Sequence, residues 1–310
     1  MIKLIKIRKD DNSILVTDYY PSKVDCVFYV VNGIVLTALT LIVLIPLIYI
    51  MACYFSSAEA VAGGKVTLWP VNFSVEGYKR VFIYPNIWTS YGNTIFYTLA
   101  GTLINIVFTL MCAYPLSRRD LPFKNGIMFL FTFTMLFGGG MIPNYLLLKS
   151  LGIINTRWAM LIPGALSVYN MIIARTFIMG IPLELLEAAD IDGCSDTQYF
   201  FHILLPLSGT LISVLILFYA VSHWNSYFNA FLYLYYRELM PLQIILREVL
   251  VANTISTDTI TDEESFQAII GMGELLKHAL IVVSSAPILM LYPFMRRYFV
   301  KGVMLGSLKG

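Results

Sequence analysis

Charge is scarce in this 310-residue sequence: 13% of residues are Asp, Glu, Lys or Arg, against 58% apolar. A soluble domain is close to half apolar and about a quarter charged, so the composition excludes an ordinary water-soluble globule. A mean hydropathy of +0.75 points to a membrane protein. Cysteine is scarce too. Cys26, Cys53, Cys112 and Cys194 show no C-x-x-C spacing, which implies neither a disulfide framework nor a metal site. The three histidines, His202, His223 and His278, are scattered and read as packed or interfacial residues rather than ligands.

Signatures of catalysis and of self-sufficient transport are missing as well. The phosphate-cradling pattern G-x-x-x-x-G-K-[ST] does not occur. Its nearest approach, Gly63-Gly64-Lys65, is followed by Val66 where a hydroxyl would have to hold magnesium. Neither H-E-x-x-H nor G-x-S-x-G is found. The chain is therefore not expected to hydrolyse ATP or any other substrate by itself, or to bind a cofactor or metal. No ionisable residue sits at the centre of a long apolar run, as a proton-coupled carrier would require, so energy for transport has to come from a partner.

What is abundant is the long apolar run. Covering a hydrocarbon core takes about 20 mostly apolar residues, and six runs qualify: 27–52, 94–116, 127–148, 158–179, 206–231 and 275–295. The third is interrupted at Gly138-Gly139-Gly140 and Pro143. The fourth contains Pro163, with Arg175 near enough to its end to snorkel, and the sixth carries Lys277 and His278 at its start. The expected fold is thus an all-α, six-span membrane protein. The first run is too long for a signal h-region and follows a charged head, which favours a retained span. With both termini cytosolic, twelve Lys and Arg fall inside and eight outside, a modest bias toward N-in and C-in. That places a cytosolic segment at 1–26, a cytosolic loop at 181–206 and a cytosolic tail at 299–310.

The cytosolic loop is peculiar. Glu184, Glu187, Asp190, Asp192 and Asp196 put five carboxylates within thirteen residues, with no Lys or Arg among them. PLELLEAADID suits a short helix with Pro182 and Glu184 in its first turn and Gly193 at its stop. Ser195 and Gln198 form a capping-box pattern that opens a second helix, 196–204. An acidic solvated loop would look the same by charge alone. Spacing distinguishes this one: Glu187-Ala188-Ala189, three residues, Gly193, nine residues, then Ile203-Leu204-Leu205-Pro206.

The pattern E-A-A-x3-G-x9-I-x-L-P resembles the cytosolic signature of permease subunits of binding-protein-dependent ABC importers. AVAGGKVTLWP (Ala60 to Pro70), AYPLSRRDLPFKN (Ala113 to Asn125), the long GGGMIPN…VYN segment (Gly138 to Asn170), PLQIILRE (Pro241 to Glu248) and KGVMLGSLKG (Lys301 to Gly310) resemble the carbohydrate, LplC-type branch of those permeases, related to the smaller permease of the maltose importer. Cys194, Gln198 and His202 depart from it, since members often carry Ala at the first and Arg at the other two.

The resemblance implies a type I importer permease fold, and a coupling helix that seats in a cytosolic ATPase subunit. It also implies a second homologous permease, two ATPase subunits holding ATP and magnesium, and an extracellular solute-binding protein. Glu187, Ala188, Ala189, Asp192, Gly193, Ile203 and Pro206 are the implied coupling residues. The loop's lack of Arg leads one to expect a basic rim on the ATPase facing Asp190, Asp192 and Asp196. Outer segments 54–93 and 232–274, the latter with the polar stretch Ile255 to Ser265, are the implied docking loops for the binding protein. For cargo, the run His223 to Asn229 supplies aromatic rings and amides of the kind that sugars use, with Trp224, Asn225, Tyr227 and Asn229 as candidates. Aromatic residues near a span end also serve as interface anchors. The expected function is oligosaccharide import by alternating access. A non-sugar solute, or a membrane scaffold or receptor that transports nothing, are the alternatives.

Overall fold

The computed structural model describes residues 4–10, 13–19, 22–255 and 273–290. Most of the polar stretch Ile255 to Ser265, the last part of the sixth apolar run and the tail 299–310 lie outside the described residues.

The chain opens with an antiparallel hairpin, β1 (Leu4–Asp10) and β2 (Ser13–Tyr19), in register from Leu4 opposite Tyr19 to Asp10 opposite Ser13. The hairpin is a short addition ahead of a chain that is otherwise helical, as expected. Ile5, Ile7, Ile14, Val16 and Thr17 are β-branched residues with strand preference, and Asp and Ser flank the connection. Their interleaving with Lys and Arg reads, on composition alone, as a merely charged head.

Everything described beyond the hairpin is helix and connection. Helix α1 (Lys23–Tyr54) starts at a full capping box, Ser22 with Asp25, and runs 32 residues, about 48 Å at 1.5 Å per residue. From Cys26 to Tyr49 its residues are exposed, and only Ala52, Cys53 and Tyr54 at its end are buried. Short α2 (Ala58–Ala62) and α3 (Glu76–Ile83) lead to α4 (Ile87–Ser117). Then come α5 (Lys124–Leu136) and α6 (Met141–Ser150), which form a pair bent by 110° at the Gly138–Gly140 break. The fourth apolar run, read as one span, is broken into α7 (Trp158–Leu161) and α8 (Val168–Met179) around Pro163-Gly164. Helix α9 (Glu184–Ile191) lies in the acidic loop. Next, α10 (Asp196–Tyr199), a π-helical turn (Phe200–Leu204) and α11 (Leu205–Leu207) meet α12 (Gly209–Trp224) at a 78° bend on Ser208. The fifth run breaks again at Asn225 before α13 (Phe228–Tyr233); α14 (Leu242–Ile255) follows, and α15 (Gly273–Met290) ends the described chain. By length and composition, α1, α4 and α15 each suffice to cross a membrane, and the two bent pairs bring the number to five.

Helix α4 is the hub, packed against α7, α8, α12 and α14. Its buried stripe is polar: Ser90, Asn93, Thr94, Thr102, Asn105 and Thr109 repeat at helical spacing around Tyr97. Asn93, Thr94 and Asn105, with Tyr97, satisfy backbone that irregular segments leave unpaired, whereas the Ser90 and Thr102 hydroxyls have no partner among the described residues. Asn93 donates to the carbonyls of Glu238 (2.6 Å) and Met240, Tyr97 to that of Leu239 (2.8 Å), and Thr94 accepts from the N–H of Leu242 (2.8 Å). Asn105 donates to the carbonyl of Gly164 and contacts His223 Nε2 at 2.7 Å, while the Thr109 and Tyr219 hydroxyls share a bond. Where α4 meets α12, Gly101 lies under the His223 ring, and a Cβ there would overlap the imidazole.

Gly101→Ala should therefore lower the melting temperature of the purified protein in detergent, at a cost of about 1–3 kcal/mol for overpacking. His223→Ala combined with it should recover part of that loss, as thermal unfolding of the two variants would reveal.

Candidate functional site

The acidic loop joins α8 to α12 through two helical limbs and a glycine corner. Pro182 precedes α9 and leaves the N-terminal end of the helix to Glu184 and Glu187. At its far end Asp192 is the C-cap, and Gly193 takes φ +74°. The N–H of Gly193 bonds to the carbonyl of Asp190 and that of Cys194 to the carbonyl of Ala189 (2.9 Å), a Schellman arrangement. No atom stands within 4 Å of where a Gly193 side chain would begin, so it is the left-handed backbone that calls for glycine. One residue later the Ser195 hydroxyl accepts from the N–H of Gln198, and the Gln198 side chain accepts from the N–H of Ser195 at 2.9 Å. Gln198 thus closes the capping box of the second limb.

The two limbs are anchored differently. Ala189 of α9 is buried, with Leu186 and Cys194 packed against the same cluster as Tyr199, Leu204, Ala113 and Met171. The other side of α9 is open: Glu187 and Ala188 are exposed, Leu185 is 41% and Ile191 87% exposed. Leu185, Ala188 and Ile191 recur at helical spacing and make an apolar strip rimmed by Glu184, Asp192 and the other carboxylates. On the second limb, Tyr199 and Leu204 are buried, Ile203 is half-buried, and Pro206 is exposed at the start of the bend.

The second limb is also tied by charge. Arg118, at the C-terminal end of α4, holds Asp120 through two N–H bonds of 3.1 and 3.2 Å, and its Nη1 lies 3.4 Å from Asp196. The Arg118 hydrogen bond holds the Asp120 carboxyl below its usual range. Tyr114 donates to the same Asp196 oxygen at 3.0 Å. The in-chain counterion of Asp196 therefore comes from the α4–α5 connection, which answers part of the missing-Arg question: one of the five carboxylates is matched within the chain. The end of α4 is capped further by Arg175, whose Nε donates to the carbonyl of Leu116 at 2.8 Å, and by Lys124, which donates to that of Arg118. Arg175 is engaged with this helix end, where a cation is electrostatically favoured, rather than simply reaching for the interface. A cavity of about 470 Å³ separates the Arg118–Asp120 segment from α9, with Glu187, Asp190 and Pro182 on its walls.

The cargo candidates lie at the opposite end of α12. Trp224 is buried, and its Nε1 donates to the carbonyl of Ser284 on α15 at 2.9 Å. Asn225 is exposed and bonds back to the carbonyl of Val221. Tyr227 is half-buried and stacked on Phe231, and Asn229 is exposed. These four residues share an end of the molecule, not a single pocket. Among the described residues, no group of three His, Cys, Asp or Glu side chains is placed to hold a metal ion. Sequence reading missed the polar stripe of α4 and the Asn105–His223 contact. The signal was there in the 3.6-residue recurrence of Ser, Asn and Thr from Ser90 to Thr109.

Residues 105–304 match the family described as the binding-protein-dependent transport system inner membrane component. Protein LplC of Bacillus subtilis (strain 168) is 39% identical over 289 residues, 93% of this chain and 97% of that protein. The polygalacturonan/rhamnogalacturonan transport system permease protein YtcP of the same organism is 40% identical over 275 residues, covering 87% and 94% of the two chains. Among solved structures, a chain of a bacterial ABC transporter involved in the import of the acidic polysaccharide alginate superposes with a TM-score of 0.81 at 35% identity, covering 91% of this chain and all of that one. With 39–40% identity along nearly its whole length and an apolar helical body built around α4, this chain belongs to the family of inner-membrane components of binding-protein-dependent transport systems.

Proposed function

We propose that this chain is one of the two transmembrane halves of an ATP-driven importer that carries oligosaccharides across the bacterial cytoplasmic membrane by alternating access. Its spans are α1, α4, the α5–α6 pair, the α7–α8 pair, α12 with α13, and α15, with both termini cytosolic. A second, homologous permease completes the pathway. Two cytosolic ATPase subunits supply ATP and magnesium, an extracellular solute-binding protein delivers cargo, and the chain itself is not an enzyme. The saccharide assignment is supported by the cargoes in the names of its relatives, polygalacturonan or rhamnogalacturonan and alginate.

The observation that carries the coupling role is the open face of α9. Ile191 at 87% exposure, beside exposed Ala188 and Leu185, is an apolar strip on a loop outside the spans, and such a strip calls for a protein cover. An ATPase cleft is the cover we assign. Small Ala188 allows close approach, Glu187 and Asp192 flank it, and Gly193 fixes the angle between the docked limb and the limb that continues into α12. When the ATPases close, α9 is pulled, and Ala189, Ile203 and Pro206 pass the displacement to the bundle. On the opposite side, cargo passes Asn225, Tyr227 and Asn229, with Trp224 holding the end of α12 against α15.

Gly193→Val should insert and assemble normally, because its surroundings are open, but the strained corner should misplace α9. Uptake in reconstituted vesicles is expected to fall about tenfold or more while ATP hydrolysis persists; uptake and hydrolysis that stay in proportion would contradict the coupling role. Asp196→Arg should likewise impair uptake by setting two cations against each other. The exchanged pair Arg118→Asp with Asp196→Arg should restore part of it, and a double variant no better than the single one would remove the tie from the mechanism.

A further inference from the structure

We propose that the end of the molecule opposite the acidic loop carries a binding station for an acidic saccharide, centred on Arg247; this rests on the oligosaccharide reading above and narrows its cargo to a carboxylate-bearing sugar. Helix α12 runs from the bend next to the acidic loop to Trp224, so α13 and α14 beyond it lie at the far end, where an importer receives its cargo. There the Arg247 guanidinium stands over two rings, 4.4 Å from the centroid of Phe231 and 5.2 Å from that of Tyr227, which are themselves stacked. Arg247 is exposed. Among the described residues, the ion pairs at this end join Arg80 to Glu76, Arg237 to Glu248 and Lys277 to Glu274, and none takes Arg247.

Stacking and ion pairing use different parts of a guanidinium. A ring face attracts the cation through its plane and fixes its orientation, while the five N–H donors, which lie in that plane, remain free for a planar anion. An arginine held by rings and not by a carboxylate is thus pre-oriented for a carboxylate to come. It also has somewhere to receive one. Arg247 borders a groove of about 430 Å³ with Arg237, Glu248, Tyr84 and Val251, a volume suited to a small ligand. Tyr84 also borders a second groove lined by Glu76, Lys79 and Arg80, so the two adjoin. Across them stand four basic side chains and two acidic ones. Among the described residues each acid is already paired, with Arg80 and with Arg237, which leaves Lys79 and Arg247 without a described carboxylate partner. The Tyr84 hydroxyl and the paired Glu248 offer partners for sugar hydroxyls beside that positive field. Arg157, exposed and 4.7 Å over the Phe96 ring, repeats the arrangement elsewhere on the chain.

The test uses the complete transporter in vesicles, with short oligogalacturonates and the same oligomers methyl-esterified to remove their charge. The native protein should import the charged oligomer in preference to the ester. Arg247→Gln should lower uptake of the charged oligomer about tenfold more than that of the ester, and Arg247→Lys, which keeps the charge but not the planar fork, should fall between. Equal losses for both oligomers would assign Arg247 to docking the binding protein or to anchoring at the lipid interface, and would overturn the proposal. Import of the ester or other neutral oligosaccharides without the charged oligomer would overturn it too, leaving the saccharide reading intact. Import of no saccharide from a broad neutral and acidic panel would instead overturn the saccharide reading itself.

Discussion

Hydrocarbon offers no hydrogen bonds to an open backbone, so every break in a spanning helix must be satisfied from within the protein. This fold breaks its helices repeatedly, and α4 is what makes the breaks tolerable. One uninterrupted helix presents Asn105 to the carbonyl of Gly164, where the fourth apolar run breaks, and Asn93, Thr94 and Tyr97 to the carbonyls of Glu238, Leu239 and Met240 in the connection between α13 and α14 and to the amide of Leu242 at the start of α14. A wholly apolar α4 would be a better span in isolation and a worse hub. The irregular segments beside it would then leave buried polar groups unpaired, at about 1–3 kcal/mol each.

The same helix ties the two ends of the molecule together. Its C-terminal end meets the second limb of the acidic loop through Arg118, Tyr114 and Asp196, while its middle meets α12 through Asn105, Gly101 and His223. The loop is therefore not a free appendage. Its second limb is held to α4 by polar bonds and its first limb by a buried alanine, with a left-handed glycine between them. Two differently anchored limbs about one fixed corner have the build of a lever, the build that the proposed coupling to an ATPase would use.

Features decided by local chemistry were legible in the sequence. The stop at Gly193, the capping box at Ser195 and Gln198, and the break at Gly138–Gly140 each depend on a few adjacent residues whose backbone preferences are strong. Tertiary features were not. Pro163 was read as a proline tolerated within one span, whereas Gly164 beside it gives its carbonyl to Asn105, a partner 59 positions away in the chain. Trp224 looked like an interface or cargo aromatic because sequence cannot say which side of a helix end is packed; its ring is spent on α15. The hairpin at 4–19 was hidden by charge, since Lys and Arg between β-branched residues depress the apolar signal without removing strand preference. Asp196 looked uncompensated for the same reason that Trp224 looked free: its partner, Arg118, lies in another loop.

The central claim is that the open face of α9 seats against a cytosolic ATPase. A photo-crosslinking amino acid placed at Ile191, in the assembled transporter and under ATP turnover, tests it most directly. The account predicts a crosslink to the ATPase subunit whose yield changes between the ATP-bound and nucleotide-free states. Crosslinks confined to lipid or to this chain, in a complex that still transports, would contradict it.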